Sequence, residues 1–289
     1  MHLTELFQSK QFVITCEVTC PKGIDIEEFM DTADLLKDSV SAINVGDNQR
    51  AVMRAGSLAL CHLLKTGNIE PVMELSALYR NRLAFQSDLL SAAIMGIENV
   101  LVLMGDDPAS GDHAEAKPVH DLDPVSIVSA AMALTKGKDM TGHDLNSTPS
   151  FCIGVVTNVE REAEGVSLTE IKDQVAQGAH YIQTPPVYQP EVLEKFMESI
   201  SSLNVPVIVG HTILKSASMA SFMNSNFPGV HIPENIIREL EGLPKSQLVE
   251  KSLQISTDLL KKIKPLCQGI HFVPAGWERY VPRIVQEIS

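Results

Sequence analysis

Short runs of apolar, β-branched residues alternate along this chain with longer amphipathic ones. The strand candidates are Phe12–Thr19, Ala42–Val45, Pro71–Leu75, Val100–Met104, Phe151–Thr157, Tyr181–Thr184, Val205–Gly210 and Gly269–Val273. They are almost uninterrupted in apolar character, as strands buried on both faces of a parallel sheet are. Helix candidates lie between them near 25–37, 50–65, 80–95, 123–136, 167–177, 190–202, 213–223 and 279–287, with two more at 233–241 and 246–264. This alternation predicts a (β/α)8 TIM barrel, one domain over residues 1–289, with the two further helices inserted between strands 7 and 8. A doubly wound open sheet is the competing fold. It usually carries a glycine-rich turn after its first strand, and no G-x-G-x-x-G is present.

In such a barrel the residues just after each strand converge on one rim. Glu17 interrupts the first apolar run, and Pro21 and Gly23 then stop it. Asn44, Gly46, Asp47, Asn48 and Gln49 follow the second strand, and Glu74 ends the third. Gly105 and Asp106 end the fourth, Asn158 follows the fifth, Gln183 and Thr184 end the sixth, and His211 and Thr212 the seventh. Taken singly, these groups could be exposed acids or could cap helices and turns. As a convergent set they suit hydrogen bonding to a flat heterocycle with amide-like edges, such as a pterin or flavin. Arg80 and Arg82 open the helix after the third strand; a cation there runs against the helix dipole and favours an anion or partner contact. His113 and His120 lie in the long loop after the fourth strand.

The formal net charge of −13 argues against nucleic acid as a partner. Five cysteines are scattered without zinc spacing, so they read as buried free thiols in a reducing compartment, with no metal site. No apolar run reaches membrane-spanning length and the N-terminus lacks signal-peptide character, so a cytoplasmic location without membrane association is expected.

Several segments, in order and over nearly the whole chain, resemble 5,10-methylenetetrahydrofolate reductase in its short bacterial form. They are Glu17-Val18-Thr19-Cys20-Pro21-Lys22-Gly23, Asn44-Val45-Gly46-Asp47-Asn48-Gln49, the stretch 80–90, Gly105-Asp106-Asp107-Pro108, the stretch 116–123 and Gly276-Trp277-Glu278-Arg279-Tyr280-Val281-Pro282. The resemblance implies a barrel holding FAD, with hydride passing from NADH, or from an electron-transfer partner subunit, through the flavin to methylenetetrahydrofolate. It implies Glu17 as general acid and Asp106 as a fixed negative charge between pterin and flavin. Folate contacts are expected from Glu17, Asp106, Gln183, Thr184, Tyr188 and His211. Flavin contacts are expected from Asn44, Gly46, Glu74, Arg82, Gly105, Asp106, His113, His120, Asn158 and Gln174. A homo-oligomer and a role in methionine biosynthesis are further implications.

The chain departs from the family at Gly46 (usually Thr), Glu74 (His or Gln), Met104 (often Arg), Gln174 (often Lys) and Pro185 (Gln). Met104 and Gln174 remove two cations that would meet a diphosphate, and Glu74 adds an anion, with Arg80 and Arg82 as possible replacements. Two alternatives follow: a paralogue that binds a one-carbon carrier without flavin reduction, as an accessory subunit, and a pterin-dependent methyltransferase.

Overall fold

The computed structural model describes residues 2–159 and 168–289. Eight parallel strands close into a barrel in sequence order. They are β1 (Val13–Val18), β2 (Ala42–Val45), β3 (Pro71–Ser76), β4 (Asn99–Leu103), β5 (Cys152–Val156), β6 (Tyr181–Pro186), β7 (Val207–His211) and β8 (Gly269–Phe272). The helices are α1 (Leu3–Gln8), α2 (Glu27–Leu36), α3 (Ser57–Thr66), α4 (Arg82–Ile94), α5 (Pro124–Thr135), α6 (Thr169–Gln177), α7 (Pro190–Ile200), α8 (Ala217–Asn226), α9 (Glu234–Leu240), α10 (Lys245–Ile263) and α11 (Val281–Ile288). The (β/α)8 barrel expected from the apolar pattern is therefore the fold, and α9 and α10 are the expected insertion between β7 and β8. Among the described residues no helix is long and apolar enough to cross a membrane.

Side-chain alternation along each strand separates two interiors. Cys16, Val18, Ile43, Met73, Val100, Ile153, Val207 and Phe272 face outward and pack with helix residues in the main core. Val13, Ala42, Val72, Leu101, Cys152, Tyr181 and Ile208 face inward and form a separate apolar plug. Leu3 and Leu6 of α1 close the bottom of that plug, and the Asn99 side chain accepts the Leu3 N–H at 2.8 Å. The pattern did not announce α1, because a helix this short carries too little periodicity to read.

Local chemistry sets the helix starts at the upper rim. Asn81 caps α4 by accepting from the N–H groups of Leu83 and Ala84. Asp123 and Ser126 form a capping box on α5, with Pro124 at its first turn. The helix expected from residue 50 starts only at Ser57. Asn48, Arg50 and Ala51 lie in the left-handed region, at φ 51°, 57° and 53°, so this stretch is a tight turn and cannot extend a helix.

Candidate active site at the barrel mouth

The same alternation that points Val13 into the plug points Thr15 and Glu17 into the lumen above it. Asn44 stands above Ala42, Glu74 above Val72 and Gln183 above Tyr181 in the same way. These side chains meet. The Asn44 amide donates to Glu74 Oε1 at 3.2 Å and to Gln183 Oε1 at 3.3 Å. One level lower on the rim side, Thr15 Oγ1 and His271 Nδ1 are 2.8 Å apart.

Gln49 completes the group from above. Its side chain lies near both Glu17 and Glu74 and favours their charged forms. Gly46 makes this possible: a Cβ there would stand 2.4 Å from the Gln49 side chain. Glu17, half-buried, and Glu74, buried, are thus two carboxyls in one polar mouth. Burial raises the Glu74 carboxyl to about 8, with the neighbouring Glu17 adding to the shift. Burial likewise raises Glu17, opposed by Gln49, Arg50 and Arg54. Burial holds His271 neutral, its ring lowered to about 3.

The loop after β2 closes over this mouth and is fastened from several sides. Asp106 accepts the Arg50 N–H at 2.7 Å, and Tyr79 donates its hydroxyl to the Asp106 carbonyl at 2.9 Å. Asp112 accepts the Met53 N–H at 3.0 Å. Arg54 donates to the Cys20 carbonyl at 2.8 Å, and the Arg50 guanidinium lies 4.9 Å above the Phe227 ring. Asp106 therefore holds the loop at Arg50, the residue next to Gln49. Glu17 is half-buried and Asp106 is exposed. Beside the mouth a cleft of about 910 Å³ opens between the β1 loop, α2 and the β8 loop, with Lys22, Arg54 and Glu278 on its wall.

The remaining candidates occupy other places. Thr184, Tyr188 and His211 are buried on the outer side of the sheet. Thr184 Oγ1 accepts the Gly210 N–H at 3.1 Å, Tyr188 donates to the Thr212 carbonyl at 2.7 Å, and His211 packs between Tyr188 and Phe272. The structure does not bring them to the mouth, because strand parity turns them toward the helices. Gln174 is buried between helices and donates to the Pro124 carbonyl at 2.9 Å. The Asn158 amide donates to the Pro228 carbonyl at 3.3 Å. His113 is exposed and contacts Asp112 at 2.9 Å, and His120 is exposed. Gly105 lies at the rim at φ 89°, packed close to Ser76.

The cations offered in place of the missing ones already have partners. Arg82 pairs with Asp121 at 2.7 Å. Arg80 bridges Asp47, itself buried, and Asp88 at 2.6 Å. Lys22 pairs with Asp112. All five cysteines are free and buried, and burial raises Cys20 to about 12, so its thiol stays protonated. Among the described residues no group of three or more His, Cys, Asp or Glu is placed to hold a metal ion.

Sequence reading missed Thr15, His271 and Glu278, and it placed Gln49 on the rim without giving it a role. Parity along β1 and β8 was the available signal for Thr15 and His271. Nothing local ties Glu278 to Glu17, since only barrel closure sets the β8 loop beside β1.

Fold and site together define a TIM-barrel protein whose upper lumen carries a polar, carboxyl-bearing mouth, the usual place for barrel chemistry. Residues 2–289 match the family model of methylenetetrahydrofolate reductase, and the chain belongs to that family. Among curated proteins, methylenetetrahydrofolate reductase 2 of Schizosaccharomyces pombe is 27% identical over 220 residues. That match takes in 68% of this chain and 32% of the relative, so the chain spans about a third of the relative's length. Among solved structures, an uncharacterized protein from Clostridium thermocellum, described as binding two copies of 5-methyl-5,6,7,8-tetrahydrofolic acid, superposes with a TM-score of 0.64 at 17% identity, covering 99% of this chain and 98% of that one. A 2,3-dimethylmalate lyase, a PEP mutase/isocitrate lyase superfamily member, follows at TM-score 0.53 and 9% identity, covering 93% and 78%. At these identities the two structures speak for the fold alone.

Proposed function

We propose that the chain binds a folate at the barrel mouth and reduces 5,10-methylenetetrahydrofolate to 5-methyltetrahydrofolate. The observation that carries this reading is Glu17 itself, a carboxyl in the barrel mouth whose affinity for its proton burial raises, at the family's general-acid position. A buried acid whose affinity for its proton is raised toward the working pH is suited to donate it. Glu17 gives a proton to the folate nitrogen as that nitrogen's bond to the bridging carbon opens. The exposed carboxylate of Asp106, on the same rim, stabilises the positive charge that develops on the other nitrogen. Gln183, held by Asn44, presents an amide toward the pterin in place of the side chain that Pro185 lacks. Family membership supports a folate as the ligand class.

FAD is the hydride source that the family implies, supplied in turn by NADH or by a partner subunit. The residues present divide on its fit. Asn44 Oδ1 is buried without a hydrogen-bond partner, an acceptor awaiting a ring N–H donor. A diphosphate, by contrast, would have to compete with Asp112, Asp47 and Asp121 for Lys22, Arg80 and Arg82. The mouth fits a ring and the rim does not fit a diphosphate, and no step above is routed through the flavin. That paired rim favours a second reading, a folate-binding member of the family that works without bound FAD.

The visible spectrum of the purified protein separates the two. A yellow protein bleached by NADH or by methyltetrahydrofolate is expected for the flavin enzyme. A colourless protein that neither FAD nor FMN reconstitutes removes the flavin. Calorimetry with folates on that colourless protein then tests binding alone, and the absence of any heat with either folate removes the folate reading too.

A further inference from the structure

The loop after β2 carries a cation that the acids around it do not claim. We propose that Arg50 is a specificity-determining residue of the mouth, whose guanidinium grips a carboxylate on the ligand held below it; for a folate this is a carboxylate of the glutamate tail. The identity of that carboxylate rests on the folate reading above; the placement of the guanidinium does not.

Among the described residues Arg50 enters no ion pair, whereas Lys22, Arg80 and Arg82 on the same rim all do. Its exposed guanidinium lies instead 4.9 Å above the Phe227 ring. The segment that carries this ring is fastened from the far side of the barrel. The Asn158 amide, just after β5, donates to the Pro228 carbonyl at 3.3 Å, and a Cβ on Gly229 would stand 1.5 Å from the same amide. Arg50 thus reaches from the β2 loop toward the β5 side of the closed sheet, across the opening above Asn44, Glu74 and Gln183. An aromatic ring covers one face of a guanidinium and leaves the N–H donors free at its edge, in the fork that a carboxylate accepts bidentately. At an exposed site such a ring contact is weaker than a charge-assisted hydrogen bond, so the ring parks the group and a carboxylate captures it.

The backbone holds the residue there against its own preference. Arg50 lies at φ 57° and ψ 28°, a left-handed conformation that is costly for any side chain and persists where the surroundings over-determine it, ligand clamps among such places. Asp106 accepts the Arg50 N–H at 2.7 Å, Asp112 accepts the Met53 N–H at 3.0 Å, and the Asn48 side chain accepts the Arg54 N–H at 3.0 Å. Gly111 presses in so closely that a Cβ there would stand 1.8 Å from the Ala51 carbonyl oxygen. Charge then selects the kind of anion. Glu17, Asp106 and, from the β8 loop, Glu278 put acid around the same opening, and Arg54 turns its guanidinium to the Cys20 carbonyl at 2.8 Å. A single guanidinium amid acids suits one carboxylate rather than a diphosphate. The acids repel an anion placed elsewhere on the rim, so Arg50 fixes where a ligand's tail leaves the mouth and which way its ring enters.

The test is calorimetry on the full-length protein with two ligands that share one ring: 5-methyltetrahydrofolate, and a 5-methyltetrahydropterin with a methyl group in place of the aminobenzoylglutamate tail. Wild type is expected to prefer the tailed ligand, by a margin that shrinks as ionic strength rises. Arg50→Gln is expected to weaken the tailed ligand roughly tenfold, the low end for a hydrogen bond to a charged group, and to leave the tail-less one within about twofold. Arg50→Lys keeps the charge without the fork and is expected to recover part of the preference. Equal losses for both ligands in Arg50→Gln would mean that the residue only shapes the loop, and unchanged affinities would mean that it meets no carboxylate. Either result overturns the proposal and leaves the folate reading standing. A wild type that binds neither ligand removes the folate reading and the proposal together.

Discussion

At position 46 the missing side chain decides what Gln49 touches. Any Cβ there enters the space of the Gln49 side chain, so Gly46→Ala displaces the amide that lies near both carboxyls. A hydrogen bond to a charged group contributes about 1.5–3 kcal/mol, so kcat/KM for methylenetetrahydrofolate is expected to fall roughly tenfold to a hundredfold. Steady-state kinetics checks this, and an unchanged kcat/KM would remove Gln49 from the site. Glu17→Gln is the sharper change. Loss of a general acid is expected to lower kcat by about 10²–10⁴-fold while calorimetric folate affinity changes little. A variant that turns over at the wild-type rate would assign the proton to another group. Glu17, Asn44, Glu74 and Gln183 could be nominated from sequence because each stands at a strand end with lumen parity. Thr184 and His211 also stood at strand ends, but with the opposite parity, which a list of rim positions does not weigh.

At the scale of elements, the β2 loop is held by charge and the barrel floor by apolar burial. Asp47 accepts the Ser76 N–H at 2.8 Å and an ion pair from Arg80, tying the β2 loop to β3 and to the start of α4. Removing one member of a buried pair leaves the other charge unbalanced. Asp47→Ala is expected to cost about 3 kcal/mol, the low end for such a loss, because Asp88 still holds the guanidinium. Chemical denaturation measures it, and a loss below about 1 kcal/mol, the scale of an exposed pair, would show that the pair is worth no more than a surface one. On the floor, Leu3 is fully buried against the plug. Leu3→Ala is expected to cost about 2–5 kcal/mol in the same measurement, through lost transfer energy and the cavity left behind. The strands and most helices were legible because their burial imposes a period. The loop after β2 was not, since three left-handed residues replace a helical start that its composition allows.

For the whole molecule, buried titratable groups set opposing pH limbs. Glu74, and Glu17 with it, binds its proton more tightly folded than unfolded. From the ordinary carboxylate range up to about 8 the native state therefore holds more protons than the unfolded chain, and stability falls as pH rises. His211 and His271, lowered to about 3, act the other way. Below about 6.5 the unfolded chain takes up protons that the native state refuses, and stability falls as pH drops. The melting temperature is expected to peak on the mildly acidic side of neutral, and Glu74→Gln is expected to flatten the alkaline limb. Thermal melts across pH check this; an alkaline limb unchanged in Glu74→Gln would place its origin elsewhere.

The sequence by itself determined the order of strands and helices and the inward or outward parity of each strand residue, because both are properties of local period. It also nominated Glu17, Asn44, Glu74 and Gln183 as groups that face the lumen. Only the tertiary structure decided which of those groups meet. Asn44, which meets both Glu74 and Gln183, is 139 residues from Gln183, and each offered rim cation finds an acid from another part of the chain. Closure of the barrel brings strand ends face to face across the lumen, and that distance is not written in any stretch short enough to carry a period.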